Sequence, residues 1–357
     1  MRVARKNAIL PFRGKKESDF GGFLPPALSW PCPERPNRSD LGSRCCPGSD
    51  AVKPGLQRNG VFCHACSQPA ALRLTLAGAP AGGQLQRSGR KGQEFAMQTT
   101  AQENGRLWGT RARDWAEVQE ATLEPVFRHV CRVTGLGPGQ AHLDIGCGAG
   151  RMVALAAQAG ALATGFDASA AMLGQARTRT PQAAFHQGDM EALPFADAHF
   201  NVVTAINAFQ YAANPENALA EACRVLAPGG TIAIVTWGDT ENMEAARFNA
   251  CLRPLMPPPP PDAPHPFNLS TATALEAFAR NAGLEPLDLV EIDSPWCYPD
   301  RATALRGVLS AGVVVRAMEI LGQDVVRAAY GQALEAFRLP DGSYRIGAAF
   351  RCLLARG

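Results

Sequence analysis

Residues 142–152 read HLDIGCGAGRM: the end of an apolar run, one acid, then glycines at every second position. A glycine turn between a strand and a helix can seat a nucleotide, or can be a tight turn and nothing more. A dinucleotide turn wants G-x-G-x-x-G, whose third glycine lets helix and strand pack closely, but here Gly146, Gly148 and Gly150 are followed by Arg151. The pattern fails by one residue. Asp144, two positions before the first glycine, would repel a pyrophosphate and suits a ligand carrying a positive ammonium group.

Such a turn needs a sheet to hold it. AHLDIGC, LATGFDAS, AAFHQGD, FNVVTAINAF and GGTIAIVTW read as strands, and GRMVALAAQAGA, AAMLGQARTRT and PENALAEACRVLAPG as helices between them. Ahead of them, RDWAEVQEATLEPVFRHVCRVTGL has near-helical apolar spacing and is closed by Gly135 to Gly139. After residue 240, TATALEAFARNAGLEP reads as a helix ended by Gly283, LDLVEIDSPW as a sixth strand and YRIGAAFRCLLAR as the final one. Strand and helix alternate throughout, which predicts an α/β fold: a doubly wound, mostly parallel, seven-stranded sheet with its ligand at the carboxyl ends of the strands. Residues 301–338 predict two or more helices inserted before the last strand, where they would cap the pocket.

The run LDIGCGAGR resembles motif I of the class I S-adenosylmethionine-dependent methyltransferases, and three further segments agree. The resemblance is strongest to the branch holding the ubiquinone/menaquinone C-methyltransferases and many small-molecule methyltransferases. It covers about residues 108–240. It implies a Rossmann-like methyltransferase fold, S-adenosyl-L-methionine as cofactor and S-adenosyl-L-homocysteine as product. In GFDAS it implies that Asp167, with Ala168 beside it, holds both ribose hydroxyls. In GDMEALPFADAHFNVV it implies that Asp189 meets the adenine amino group while Met190 offers its backbone amide. VLAPGGTIAIV resembles the family's turn into the fifth strand. The expected cofactor residues are therefore Asp144, Gly146, Cys147, Gly148, Gly150, Asp167, Ala168, Asp189, Met190 and Asn207.

Each has a plainer reading. Asp167 alone would cap a helix and Asp189 would stabilise its own turn, but the glycine turn and these two acids, each placed just past a predicted strand of one sheet, make three improbable coincidences. Asn207, Phe209 and Tyr211 follow the fourth strand, where donor and acceptor would meet; Phe209 reads equally as packing. Trp115 would close over the cofactor or anchor its helix. Trp296, Tyr298 and Arg301, at the entrance of the inserted helices, are the remaining candidates for the acceptor rim. No catalytic base stands out, since His186 and His199 read as structural or surface residues, and no metal is expected. A sulfonium already activates its methyl, so the expected work is alignment for direct in-line displacement onto a small-molecule acceptor. Two other readings remain: a nicotinamide-dinucleotide oxidoreductase, which the missing glycine disfavours, and a non-catalytic cofactor-binding protein.

Composition divides the chain. Residues 1–96 carry 15 Lys and Arg against 6 Asp and Glu, a net of +9, and 22 of them are Gly or Pro; the remaining 261 carry 20 against 26, a net of −6. That acidic balance removes the easiest support for nucleic-acid binding by the main domain. Residues 1–96 are expected to be disordered or a non-native extension, with Met97 the true start, residues 97–240 the cofactor-binding core and 241–357 the completion of the sheet with the cap. Cys45, Cys46, Cys63, His64 and Cys66 lack the two CxxC pairs of a zinc ribbon, and the single cysteines from 131 onward read as reduced core residues. With no 18-residue apolar run, no membrane span is expected and a cytoplasmic location is the default.

Overall fold

The computed structural model describes residues 99–357 except 242 and 259–266. The expectations for residues 1–96, the start at Met97 and the N-terminal cysteines among them, lie outside the described residues, as does the middle of the proline run.

Seven strands form the main sheet: β1 Ala141–Ile145, β2 Leu162–Asp167, β3 Ala184–Gln187, β4 Phe200–Ile206, β5 Leu226–Trp237, β6 Glu285–Asp293 and β9 Ala349–Arg356. Their order is β3-β2-β1-β4-β5-β9-β6, with β9 antiparallel to both neighbours and every other pairing parallel. The winding reverses between β1 and β4, so a crevice opens past the carboxyl ends of those two strands. In register, Asp144 of β1 lies between Gly165 of β2 and Thr204 of β4. The doubly wound, mostly parallel sheet expected from the alternation is what forms.

Its core has two sides. Leu143, Ile145, Phe166 and Val203 pack with the helix α6 Pro215–Val225 on one face; Val202, Val235 and Met152 pack with the helices α3 Glu124–Val133 and α4 Arg151–Gln158 on the other. β1 is buried along almost its whole length because helices cover both faces of a parallel sheet.

The last two expected strands each break. Buried Ser294 donates its N–H to Ala348 O (2.8 Å) and its hydroxyl to Thr122 O (2.7 Å), and Pro295 has no N–H for a ladder. LDLVEIDSPW therefore ends as β6 at Asp293, and β7 Trp296–Tyr298 leaves to pair with β8 Tyr344–Ile346 as a separate ribbon. The inserted helices run between these two short strands: α9 Arg301–Val308, α10 Gly312–Leu321 and α11 Gln323–Leu334.

The N-terminal helix also differs from the reading of one regular element. It begins as α2 Ala112–Asp114, passes through a π turn at Trp115–Gln119 and a 3-10 turn at Glu120–Leu123, and becomes α3. An additional helix precedes it, α1 Thr100–Gly109, held by a capping box between Thr99 and Gln102. Cys131, Cys147, Cys223, Cys251 and Cys352 are free thiols, whereas Cys297, read as another single reduced residue, is not free. Among the described residues no helix is long and apolar enough to cross a membrane.

Candidate functional site

The glycine turn is pinned across the sheet. Gly146 and Cys147 both donate their N–H groups to Phe166 O, at 2.8 and 3.0 Å, so the chain turns at once past the end of β1. Gly146 has φ +69°, and a Cβ there would meet the Ala208 Cβ at 2.5 Å. Gly150 has φ +80° and faces Ala176 of the helix α5 Ala170–Arg179, so it serves packing. It does not line the cavity.

Asp167, at the end of β2, holds the turn from the other side. One carboxylate oxygen accepts the Gly148 N–H (2.9 Å) and the other the Ser169 N–H (2.8 Å). A carboxylate offers about four acceptor positions, so each oxygen keeps one for a ligand hydroxyl. Asp144 is buried, and its Oδ1 accepts from the Thr204 hydroxyl at 2.6 Å. That hydroxyl is donating, so it accepts in turn from His142 Nε2–H at 2.9 Å. Burial drives His142 down to about 3 and keeps it neutral.

These residues open onto a cavity with about 970 Å³ of empty volume, counting the solvent at its mouth. That is room for a drug-sized ligand. Asp144, Gly146, Cys147, Gly148, Asp167, Ala168, Asp189, Met190 and Asn207 all line it, so nine of the ten expected cofactor residues meet there. Asp189 also accepts the Glu191 N–H (3.0 Å), combining the turn role with a place in the wall. Asn207 has φ +54°, a left-handed conformation that non-glycine residues adopt rarely and asparagine most readily.

Helix α1 roofs the cavity. Asn104 donates to Tyr211 O past the end of β4 (2.7 Å), while Gly105 lies so close to the Ala168 carbonyl past the end of β2 that no side chain fits. The helix thus bridges the two sides of the crevice. The π turn brings Trp115 and Glu120 into the same wall. Glu120 is buried and paired with Arg179, which also donates to Ala149 O (2.7 Å) and Ala116 O (3.1 Å).

Four carboxylates therefore line the cavity, and three of them, Glu120, Asp144 and Asp167, are shifted together by their burial. Burial raises these three; Arg179 opposes the shift at Glu120, and the two N–H groups oppose it at Asp167. Asp144 is pushed up to about 7, first by burial and then by the charges of Glu120 and Asp167. The folded chain accordingly keeps a proton there, between about pH 4 and 7, that the unfolded chain releases, and stability falls as pH rises through that window. Asp144→Asn is expected to raise stability at pH 8 by about 1–2 kcal/mol and leave it unchanged below pH 4. Urea unfolding at the two pH values measures this; equal effects at both would contradict it. Cys147 is not a nucleophile, because burial and the same carboxylates hold its thiol well above the usual range.

The rim candidates separate. Trp115 and Tyr211 line the first cavity and also a second, adjoining one, whose wall includes Trp296. The other three line neither cavity. Phe209 is buried with its ring 6.1 Å from Phe278, in the packing behind β4. Tyr298 donates its hydroxyl to Gln119 Oε1 (2.7 Å), a supporting role. Arg301 is half-exposed and pairs with Glu335 at 3.2 Å on the outside of the insertion. The sequence reading missed Asn104, Trp108, Gln119, Glu120, Arg179 and His142. Only the tryptophans at 108 and 115, two turns of helix apart, gave any signal.

The family model described as a methyltransferase domain matches residues 143–234. An uncharacterized protein of Mycobacterium tuberculosis (strain ATCC 25618 / H37Rv) is 30% identical over 171 residues, 47% of this chain and 61% of that protein. The malonyl-(acyl-carrier protein) O-methyltransferase of Erwinia billingiae is 33% identical over 174 residues, 49% of this chain and 65% of that one. The chain thus spans less than two thirds of the length of these curated relatives. Among solved structures, a putative methyltransferase from Bacillus halodurans is similar with a TM-score of 0.45 at 19% identity, covering 64% of this chain and 97% of that one.

Proposed function

We propose, for a chain whose core belongs to the class I S-adenosylmethionine-dependent methyltransferases, that the whole protein moves a methyl group from that cofactor to a small-molecule acceptor. The observation that carries the reading is the convergence of Asp144, Asp167 and Asp189 with the glycine turn on one cavity at the point where the winding reverses.

The residues fit the cofactor by donor chemistry. Asp144 offers a buried carboxylate to the positive amino group, and Thr204 and His142 fix its orientation. Asp167 has acceptor positions left for two ribose hydroxyls while its inner bonds shape the turn. Asp189 and Met190 stand past the end of β3 for the adenine edge. No phosphate-binding cation belongs to this set, and three carboxylates would repel a pyrophosphate, which argues against a nicotinamide dinucleotide.

Held by Asp144, Asp167, Asp189 and Met190, the cofactor would supply a sulfonium-activated methyl group to an acceptor that carries a lone pair. The chain's own task is alignment, and alignment of two reactants can contribute roughly 7–11 kcal/mol. Asn207 and Tyr211 stand where the two cavities meet. Tyr211 is pushed up to about 12 by burial, against hydrogen bonds from Trp237 and Asn207, so it stays protonated and removes no proton.

A thermal melt of the full chain with saturating S-adenosylhomocysteine, and with NAD as control, tests the reading. A ligand that binds only the folded state adds about 2.7 kcal/mol at a hundredfold excess over its dissociation constant. A midpoint raised by S-adenosylhomocysteine alone is expected. No shift, or a larger shift with NAD, would end the proposal.

A further inference from the structure

We infer that the second cavity is the acceptor site and that it takes a flat, uncharged aromatic compound bearing a hydroxyl group. The inference rests on the reading of the first cavity as the cofactor site, and it names what that reading leaves open.

The two cavities share Trp108, Trp115, Leu123, Asn207 and Tyr211, so a molecule in one touches the same side chains as a molecule in the other. Four of the chain's five tryptophans, Trp108, Trp115, Trp237 and Trp296, line the second cavity. Their rings form two connected groups: Trp108 stands edge-on to Trp115 (4.9 Å) and to Tyr211 (5.4 Å), and Trp237 is stacked on Phe350 (4.8 Å) and edge-on to Trp296 (6.0 Å). Val308, Ala311 and Val314 close it from the inserted helices. Its empty volume is about 540 Å³, counting the solvent at its mouth, so a ring entering it lies against these walls.

Among the described residues, no Lys, Arg, His, Asp or Glu lines it. An anion would be buried without a cation, beside Glu120, Asp144 and Asp167 of the adjoining cavity. A cation would be buried on a wall that, among the described residues, holds no carboxylate, and in the donor complex also beside the positive sulfonium. What the wall offers instead is amide N–H groups. Gln119 is 5% exposed and gives its Oε1 to Tyr298, which leaves its nitrogen unpaired among the described residues. Asn249 accepts from the Tyr330 hydroxyl at 3.2 Å through Oδ1, which leaves its nitrogen too. Two N–H donors on an apolar wall receive an oxygen.

That inventory also chooses the hydroxyl. With no base in the wall, the acceptor must lose its proton by its own acidity, and a phenol-type oxygen, near the pKa of tyrosine at about 10, does so far more readily than an alcohol. As the oxygen–carbon bond forms, the carbon–sulfur bond breaks with its pair staying on sulfur, and the hydroxyl proton goes to water. The Gln119 and Asn249 N–H groups stabilise the oxygen while it carries charge.

Calorimetry on the full chain saturated with S-adenosylhomocysteine tests this with three probes of one shape: 2-naphthol, 2-naphthoate and the protonated 2-naphthylmethylamine. We expect 2-naphthol to bind at least tenfold more tightly than either ion. Ala311→Trp, which fills the second cavity from outside the first, is expected to weaken 2-naphthol at least tenfold and to leave S-adenosylhomocysteine affinity unchanged. Gln119→Leu is expected to weaken 2-naphthol while leaving naphthalene itself unaffected. Absence of 2-naphthol binding, an ion binding as tightly, or 2-naphthol binding unaltered in Ala311→Trp would overturn the assignment while sparing the cofactor reading. Failure of S-adenosylhomocysteine itself to bind removes both.

Discussion

Asp167→Ala is expected to weaken S-adenosylhomocysteine binding by at least a hundredfold, about 2.7 kcal/mol. The loss has two sources. The carboxylate accepts the Gly148 and Ser169 N–H groups at 2.9 and 2.8 Å, and these bonds set the shape of the glycine turn before any ligand arrives. Hydrogen bonds to a charged group contribute about 1.5–3 kcal/mol each, so their removal alone loosens the turn. The same oxygens are the proposed partners of the ribose hydroxyls, which lose their acceptors in the variant. Asp167→Asn separates the two effects. Its amide keeps one acceptor oxygen but presents N–H donors toward either Gly148 or Ser169, so its affinity should fall between wild type and Asp167→Ala. Calorimetric titration of the three proteins makes the comparison, and an Asp167→Ala affinity within threefold of wild type would contradict it.

Gly146→Val acts on the fold itself. With φ at +69°, any side chain at this position is strained by about 1–2 kcal/mol, and valine's branch makes it worse. Its Cβ would also meet the Ala208 Cβ at 2.5 Å, where neither can withdraw, since Gly146 is bonded to Phe166 O and Ala208 is buried. Overpacking a rigid site costs roughly 1–3 kcal/mol more, for a total of about 3 kcal/mol or greater. In a domain of this size, each kcal/mol lowers the melting midpoint by about 2–4 °C, so a fall of about 6–12 °C is expected. A midpoint unchanged within 2 °C would show that the turn is not held as described.

The sheet was legible because its signal is local. Buried runs such as HLDI and NVVTAI, each followed by an amphipathic helix, allow few topologies once crossovers are right-handed. The acids at strand ends were legible for the same reason, since each stands directly past a run that can be read. What escaped notice depends on contacts between distant segments. Glu120 looks like a solvated helix residue until the π turn rotates it inward, and its partner Arg179 lies 59 positions later. The helix Thr100–Gly109 has one buried residue, Leu107, so apolar periodicity could not reveal it. Arg301 and Tyr298 adjoin Trp296 in sequence, yet β7 turns Trp296 toward the second cavity, gives Tyr298 to Gln119 and leaves Arg301 outside with Glu335. The second cavity is assembled from tryptophans at 108, 115, 237 and 296, a spacing that carries no pattern.

A crystal structure of the full chain grown with S-adenosylhomocysteine tests the central claim most directly. The account requires density in the first cavity, with the amino group at Asp144, the ribose hydroxyls at Asp167 and the adenine against Asp189 and Met190. Density elsewhere, or in that cavity with the adenine at the Asp144 end, would contradict it.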